Sequence, residues 1–471
     1  MIDNLYLLTW NWLSGSPILA AATEVATEAT AESDTEAGTA ILAGVLLSLV
    51  VIYFASQLGS EICSRINLPP VLGQLVGGVL VGVSAFGLLL FPEGGSLAED
   101  SLIMSFLQTT AGLSPADVPS VFATQSEVIS LLSELGVIIL LFEIGLESDL
   151  KELIRVGPLA AVVAVVGVVA PFVAGTVGLI YIFGTPVVPA VFAGAALTAT
   201  SIGITAKVLA ELGQLSSKEG QIIIGAAVLD DILGIVVLAV VASLVKTGEI
   251  QINNIIYLVI SAAVFLIGSI LLGRLISPLI VGLVNEMRTR GEVLLTGLVF
   301  AFILSYIATV INLEGILGAF AAGLILAETD KRKELEEQII PVADFLVPIF
   351  FVCVGAKTDL SVLNPTVPTN REGLVIATFL ILVAILGKVI TGFTVLGNPD
   401  LNKLAIGVGM IPRGEVGLVF AGVGSASGAL SEATEAAIIV MVITTTFVAP
   451  PLLRLVFEEK TIAEPVDKVR E

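Results

Sequence analysis

Between residues 39 and 457 the chain is laid out as thirteen predominantly apolar runs separated by mostly short polar connections: 39–58, 69–90, 130–147, 157–182, 186–211, 219–246, 255–280, 292–310, 313–328, 338–357, 373–396, 404–424 and 434–457. A helix of about twenty apolar residues matches the hydrocarbon thickness of a bilayer. Inside that layer no water is available, so each backbone N–H and C=O must bond within its own segment, and continuous runs of this length must be helical. A membrane β-barrel would need alternating segments of about ten residues instead. The composition agrees, at 56 % hydrophobic and 13 % charged, with a mean hydropathy of +1.05. The expected fold class is an all-α polytopic membrane protein with 13 transmembrane helices, whose first partner is the lipid bilayer.

Composition also removes several function classes. The net charge is −21, and no basic stripe with interleaved aromatics occurs, so nucleic acid is not an expected partner. Histidine is absent, which rules out the usual switch residue near neutral pH and the commonest zinc and haem ligand. No cofactor is expected. An intramembrane enzyme would lack a credible nucleophile–base set. Cys63 and Cys353 form neither a metal-spaced motif nor a disulfide framework and read as packing residues.

Loop charges set the orientation by the positive-inside rule. Arg65, Lys151, Arg155, Lys207, Lys218, Arg288, Arg290, Lys331, Arg332, Lys333, Lys403, Arg454, Lys460, Lys468 and Arg470 fall on the side of the C-terminus. Only Lys246, Lys357 and Arg371 fall on the other side. Fifteen against three places the N-terminus outside and the C-terminus in the cytoplasm, and an odd number of spans agrees. The membrane is a bacterial plasma membrane or an energised internal one such as a thylakoid. Two readings stay open for the acidic stretch 1–38: a translocated tail without structure, or a leader cut in its small-residue segment although it lacks a basic n-region.

Thirteen spans divide as six, one and six, so corresponding helices are seven apart and run in opposite directions. Two inverted repeats joined by a linker helix at 255–280 follow. Under this offset the fifth and twelfth spans correspond, and both contain poor helix at mid-depth. The fifth reads AALTATSIGITAKVLAELG, crowding Thr198, Thr200, Ser201 and Thr205 around Gly203. The twelfth reads AIGVGMIPRGEVGLVFAG, where Pro412 has no backbone N–H. Interrupted helices survive in a membrane only where they line a cavity or are buried in protein, and a matched pair marks a transport site.

Four spans carry charge at depth. EGQIIIGAAVLDDILGIVVLAVVASLVK (219–246) holds Asp230 and Asp231 near its middle. Each acid costs roughly 2.5–3.5 kcal/mol on insertion scales, and consecutive helical positions point about 100° apart. The two acids therefore cannot share one partner equally: one faces a cation path while the other meets a fixed counter-charge. Lys388, midway along the eleventh span, is the obvious counter-ion for Asp230 or Asp231. Arg413 and Glu415 directly follow Pro412 and are expected to support the interrupted helix. Glu143, two-thirds along the third span, either pairs locally or snorkels.

The motifs LPPVLGQLVGGVLVG (68–82), ELGVIILLFEIGLE (134–147), ALTATSIGITAKVLAELG (196–213), AAVLDDILGIV (226–236), GILGAFAAGLILA (315–327), PIFFVCVGAKTDL (348–360) and GMIPRGEVGLVFAG (409–422) make the chain resemble the sodium/proton antiporters of the monovalent cation:proton antiporter superfamily, in its Kef- and NapA-like branch. The resemblance implies a core transport domain (157–246 and 373–457) that moves like an elevator against a dimerisation domain (39–147 and 292–357), with a homodimer as the assembly. It implies Asp231 as the cation- and proton-binding carboxylate, Asp230 paired with the charge-compensating Lys388, and Thr200 and Ser201 as further Na⁺ ligands. Asp-Asp, where Kef-type relatives usually have Gln-Asp, resembles the electrogenic class. Only residues 458–471 remain as a cytoplasmic tail, so no nucleotide-binding domain is expected. The expected function is exchange of Na⁺, and also Li⁺, for H⁺. Two alternatives are a K⁺/H⁺ antiporter and a gated monovalent cation channel, the latter with flux far above about 10³ s⁻¹ and no proton coupling.

Overall fold

The apolar runs fold as helices. The computed structural model describes residues 17–92, 95–247, 252–286, 291–396 and 399–463, and among these every regular element is an α-helix or a short 3-10 turn, with no strand. In chain order they are α1 (Pro17–Arg65), α2 (Pro70–Val81), α3 (Leu102–Thr110), α4 (Val118–Glu147), α5 (Leu150–Phe183), α6 (Val187–Ala196), α7 (Ile202–Glu211) and α8 (Lys218–Thr247). There follow α9 (Ile252–Glu286), α10 (Glu292–Val310), α11 (Gly315–Leu326), α12 (Arg332–Ala356), α13 (Pro368–Phe393), α14 (Lys403–Gly409), α15 (Glu415–Ala426) and α16 (Glu432–Ala463).

Nine of the thirteen apolar runs coincide with the nine described helices long and apolar enough to cross a bilayer: α1, α4, α5, α8, α9, α10, α12, α13 and α16. The other four take a shorter form. Runs 186–211 and 404–424 are each split into two half-helices, α6/α7 and α14/α15. Runs 69–90 and 313–328 yield α2 and α11, of 12 residues each. At about 1.5 Å per residue, twelve residues cover little more than half of the roughly 30 Å hydrocarbon core.

Two boundaries differ from the sequence expectation. The segment read as an unstructured tail to residue 38 is helical from Pro17, because its Ala- and Glu-rich composition has strong helix propensity. Residues 1–16 lie outside the described residues. Helix α4 begins at Val118 rather than near 130. Its polar first turns find internal partners: Gln125 Nε2 donates to Ser48 Oγ on α1 at 2.6 Å, and Ser126 Oγ donates to the Leu90 carbonyl at 3.2 Å. These bonds let polar residues be carried on a buried helix, although the Gln125 Oε1 atom is buried without a partner. In the preceding loop, α3 is capped by Ser101 and buries Ile103, Met104 and Leu107 against α1 and α4.

The helices pack in two groups. One gathers α1, α2, α4, α10, α11 and α12; the other gathers α5, α6, α8, α13, α14, α15 and α16, while α7 and α9 touch both. Contacts within a group are close because glycine faces backbone. A methyl placed on Gly323 of α11 would collide with the Phe142 carbonyl of α4, and one on Gly59 of α1 with the Gly73 carbonyl of α2. Small residues at such crossings let helices associate where lipid removes the hydrophobic drive. The outer faces are apolar and open, as with Phe54 on α1 and Tyr306 on α10, each 70 % exposed.

Replacing Gly323 by leucine forces α4 and α11 apart and is expected to cost at least the roughly 1–3 kcal/mol typical of overpacking. The detergent-solubilised variant should melt several degrees below wild type in a fluorescence-detected size-exclusion assay. Leucine at Gly268 of α9, where nothing lies within 4 Å of an added Cβ, should leave the melting point unchanged.

Candidate functional site

The two interruptions lie against each other, and each supplies what the other lacks. Helix α6 ends at Ala196, and the chain runs through Leu197, Thr198, Ala199, Thr200 and Ser201 before α7 begins. Hydroxyl side chains that bond locally compete with the helix here. Helix α14 ends at Gly409, and Met410 to Gly414, with Pro412 in the middle, separate it from α15. The Ser201 amide donates to the Pro412 carbonyl at 2.8 Å. The Thr205 hydroxyl donates to the Gly409 carbonyl at 2.9 Å. Backbone groups freed by one break are thereby satisfied at the other, as a low-dielectric interior requires.

Arg413 closes two helix ends at once. Its Nη2 donates to the Leu197 carbonyl at 2.6 Å, and its Nη1 to those of Ile411 and Met410 at 3.1 and 3.2 Å. These are the C-terminal carbonyls of α6 and α14, where helix dipoles leave partial negative charge. The guanidinium is fully buried, so these carbonyls rather than water take its Nη hydrogens, while Nε has no hydrogen-bond partner. Thr446 of α16 donates its hydroxyl to the Arg413 carbonyl. Glu415, expected to share this role, is the first residue of α15, and its side chain lies outside the described residues.

Asp230 and Asp231 part company as helical geometry demands. The Asp230 Oδ2 atom lies 2.7 Å from the Lys388 Nζ atom of α13, and both side chains are fully buried. The same oxygen accepts from the Thr200 hydroxyl at 2.5 Å, while Oδ1 of Asp230 is buried with no hydrogen-bond partner. Gly167 of α5 makes room for the ammonium: a Cβ there would sit 3.2 Å from Lys388 Nζ. Asp231, 4 % exposed, instead lines a cavity of about 10 Å³ with Ala199, Thr200, Ser201 and Gly414. That volume suits about one water-sized sphere. Ser201 and Gly414 are the N-cap residues of α7 and α15, so two helix N-termini, with their partial positive charge, border the cavity of the carboxylate.

A wider cavity of about 670 Å³ adjoins this one. Glu314, Ile316 and Gly414 line both. It extends past Phe350 and Thr446 to Ser130 on α4 and to Lys357 and Thr358 just beyond α12.

Six of the eight residues singled out in the sequence, Asp230, Asp231, Thr200, Ser201, Pro412 and Arg413, therefore meet at the crossing, with Lys388 beside them; only the Glu415 side chain is not described. Thr200 is divided, since it lines the cavity of Asp231 but bonds to Asp230. Gly167, Thr446 and Glu314 had escaped sequence reasoning, and Thr205, named there only as part of the poor helix, bonds across the crossing. Gly167 in VVAVVGVVAPF, Thr446 at the end of a threonine run and Glu314 near the start of the run 313–328 carry no local pattern that marks them.

With the geometry in hand, comparison with known proteins is informative. The sequence matches the family described as "Sodium/hydrogen exchanger, transmembrane" over residues 44–459. It is 74 % identical over 428 residues to the High-affinity Na(+)/H(+) antiporter NhaS3 of Synechocystis sp., covering 91 % of this chain and 93 % of that one. It is 31 % identical over 425 residues to the Na(+)/H(+)-K(+) antiporter GerN of Bacillus cereus, covering 89 % and 98 %. Among solved structures, the sodium proton antiporter MjNhaP1 of Methanocaldococcus jannaschii superposes with a TM-score of 0.57 at 16 % identity, covering 90 % of this chain and 97 % of that one. That last likeness is one of fold.

Truncating Lys388 to alanine strands a buried carboxylate, and removing one partner of a buried pair typically costs about 3–5 kcal/mol. The single variant should lose much of its thermal stability in detergent. Adding Asp230→Asn should recover most of the loss, and the coupling in this double-mutant cycle measures the pair.

Proposed function

The chain belongs to the sodium/hydrogen exchanger family, and on that premise we propose that it exchanges Na⁺ for H⁺ across a membrane, the two ions competing for Asp231. The observation that carries this reading is the small cavity at the helix crossing, where Asp231 lies with two hydroxyl residues and two helix N-termini, and Glu314 lines the side shared with the wider cavity. Carboxylate and hydroxyl oxygens are hard donors suited to a hard cation. The cavity is too small for a hydrated ion, so a proton on Asp231 and a bound cation exclude one another. A space of this size admits one dehydrated alkali ion, and Na⁺ is taken from the family and the NhaS3 likeness, although GerN carries potassium in its name. The helix N-termini stabilise Asp231 when it releases its proton before the cation arrives.

Thr200 couples the second charge pair to this event. Its hydroxyl bonds Asp230 Oδ2 while the residue lines the cavity of Asp231. A cation that recruits the Thr200 oxygen weakens that bond, loosens Asp230 from Lys388, and lets the ammonium release a second proton. Two protons then leave for one cation, which makes the exchange electrogenic.

In this reading α5–α8 and α13–α16 form the core, and it shifts as an elevator against the group of α1, α2, α4 and α10–α12, with α9 as the linker. Counting each interrupted pair as one crossing, and α2 and α11 as short crossings, retains thirteen spans in two inverted repeats. The N-terminus is outside, the wide cavity opens to that side, and the α1–α2–α4–α10–α12 group holds two protomers together.

Asp231→Asn should abolish Na⁺- and Li⁺-driven proton movement in everted vesicles; sustained sodium-dependent flux in that variant refutes the assignment. Asp230→Asn combined with Lys388→Met should keep exchange but lose its acceleration by membrane potential. A voltage response equal to wild type counts against the second proton leaving from Lys388.

A further inference from the structure

Of the three residues common to both cavities, only Glu314 carries charge. It is half-buried and follows a tight turn between α10 and α11 in which Asn312 takes a positive φ of 63°. It occupies the N-cap position of α11, where a short polar side chain would ordinarily bond the first turn, yet its side chain makes no capping bond. Beside it Ile316, first in the apolar face of α11, lines the same neck. The wider cavity adds one further acid, Glu134, and one base, Lys357. The Lys357 ammonium lies 4.7 Å from the centre of the Phe91 ring. Its lining therefore holds two carboxylates against one ammonium, with one carboxylate at the point where the wide space narrows towards Asp231.

We infer that Glu314 governs capture of the cation: from the rim that the two cavities share, its carboxylate concentrates alkali ions at the neck and delivers them to Asp231. The inference rests on the exchange reading above and adds to it a residue that governs capture. A fixed charge at a constriction with apolar walls focuses the field and raises the local concentration of counter-ions. Such an effect acts on capture, and hence on KM more than on the maximal rate. It is screened by added salt, because the Debye length falls to about 10 Å at 0.1 M and 3 Å at 1 M.

The test uses the full chain in proteoliposomes, with Na⁺ supplied on the face where the wide cavity opens and proton flux as readout. Glu314→Gln should raise the Na⁺ KM about tenfold, the lower end of what such focusing contributes, and should change KM more than the maximal rate. Glu314→Asp should recover most of that loss. Lys357→Gln, which removes the opposing charge from the same wall, should shift KM the other way. Impermeant choline chloride should narrow the gap between Glu314→Gln and wild type.

A Glu314→Gln KM equal to wild type overturns the inference, as does a rise that neither aspartate relieves nor salt narrows, since that marks a packing role. If Glu314→Gln does not fold, Lys357→Gln decides: an unaltered KM there overturns it. Should wild type itself show no sodium-coupled flux, the exchange reading fails first. Normal wild-type exchange with an indifferent Glu314→Gln removes this inference alone.

Discussion

The architecture depends on a trade of hydrogen bonds between two interrupted helices. A broken helix in a bilayer exposes donors and acceptors that lipid cannot meet, and each unmet group costs several kcal/mol. Here the Pro412 carbonyl takes the Ser201 amide, the Gly409 carbonyl takes the Thr205 hydroxyl, and Arg413 takes the carbonyls at the ends of α6 and α14. Neither break is tenable without the other. The residues around them follow from this dependence: glycines that let the segments approach, hydroxyls that bridge them, and a guanidinium fixed by backbone oxygens alone.

Charge is distributed with the same economy. The C-terminal ends of two half-helices share Arg413, while the N-terminal ends of the other two border the cavity that Asp231 lines. Lys388 is held apart, bonded to Asp230 on the adjacent face of α8. A single helical step of about 100° separates these environments. One acid is thereby paired with Lys388, and the next faces a small cavity. The chemistry of the site arises from the angular offset between two consecutive residues.

Much of this was legible in the sequence because membranes penalise exceptions so strongly. Acids at mid-span, a lysine in an apolar run and a proline amid glycines stand out where almost everything else is Leu, Val, Ile or Ala. The nine long helices were readable for the same reason, since their length is set by the bilayer. The helix boundaries were less so: Gln125 and Ser126 look like loop residues until Ser48 and the Leu90 carbonyl are seen beside them. Gly167 and Thr446 were invisible because their importance lies in what stands opposite, and nothing in a linear pattern says which side chain a glycine or a threonine will face. Glu314 carried no mark either, because an acid near the end of an apolar run normally meets water.

The missing methyl at Gly167 has a chemical corollary. With only hydrogen presented to the Lys388 ammonium, and an added carbon standing just 3.2 Å away, the chamber fits a compact –NH₃⁺ head. Arginine is broad and planar, and it keeps its proton in any protein environment. Substituted at this position it would overfill the space and hold a permanent charge against Asp230. The side chain most similar to lysine in sign is therefore the least able to replace it, and a conservative exchange by class would be a radical one by shape and by acidity.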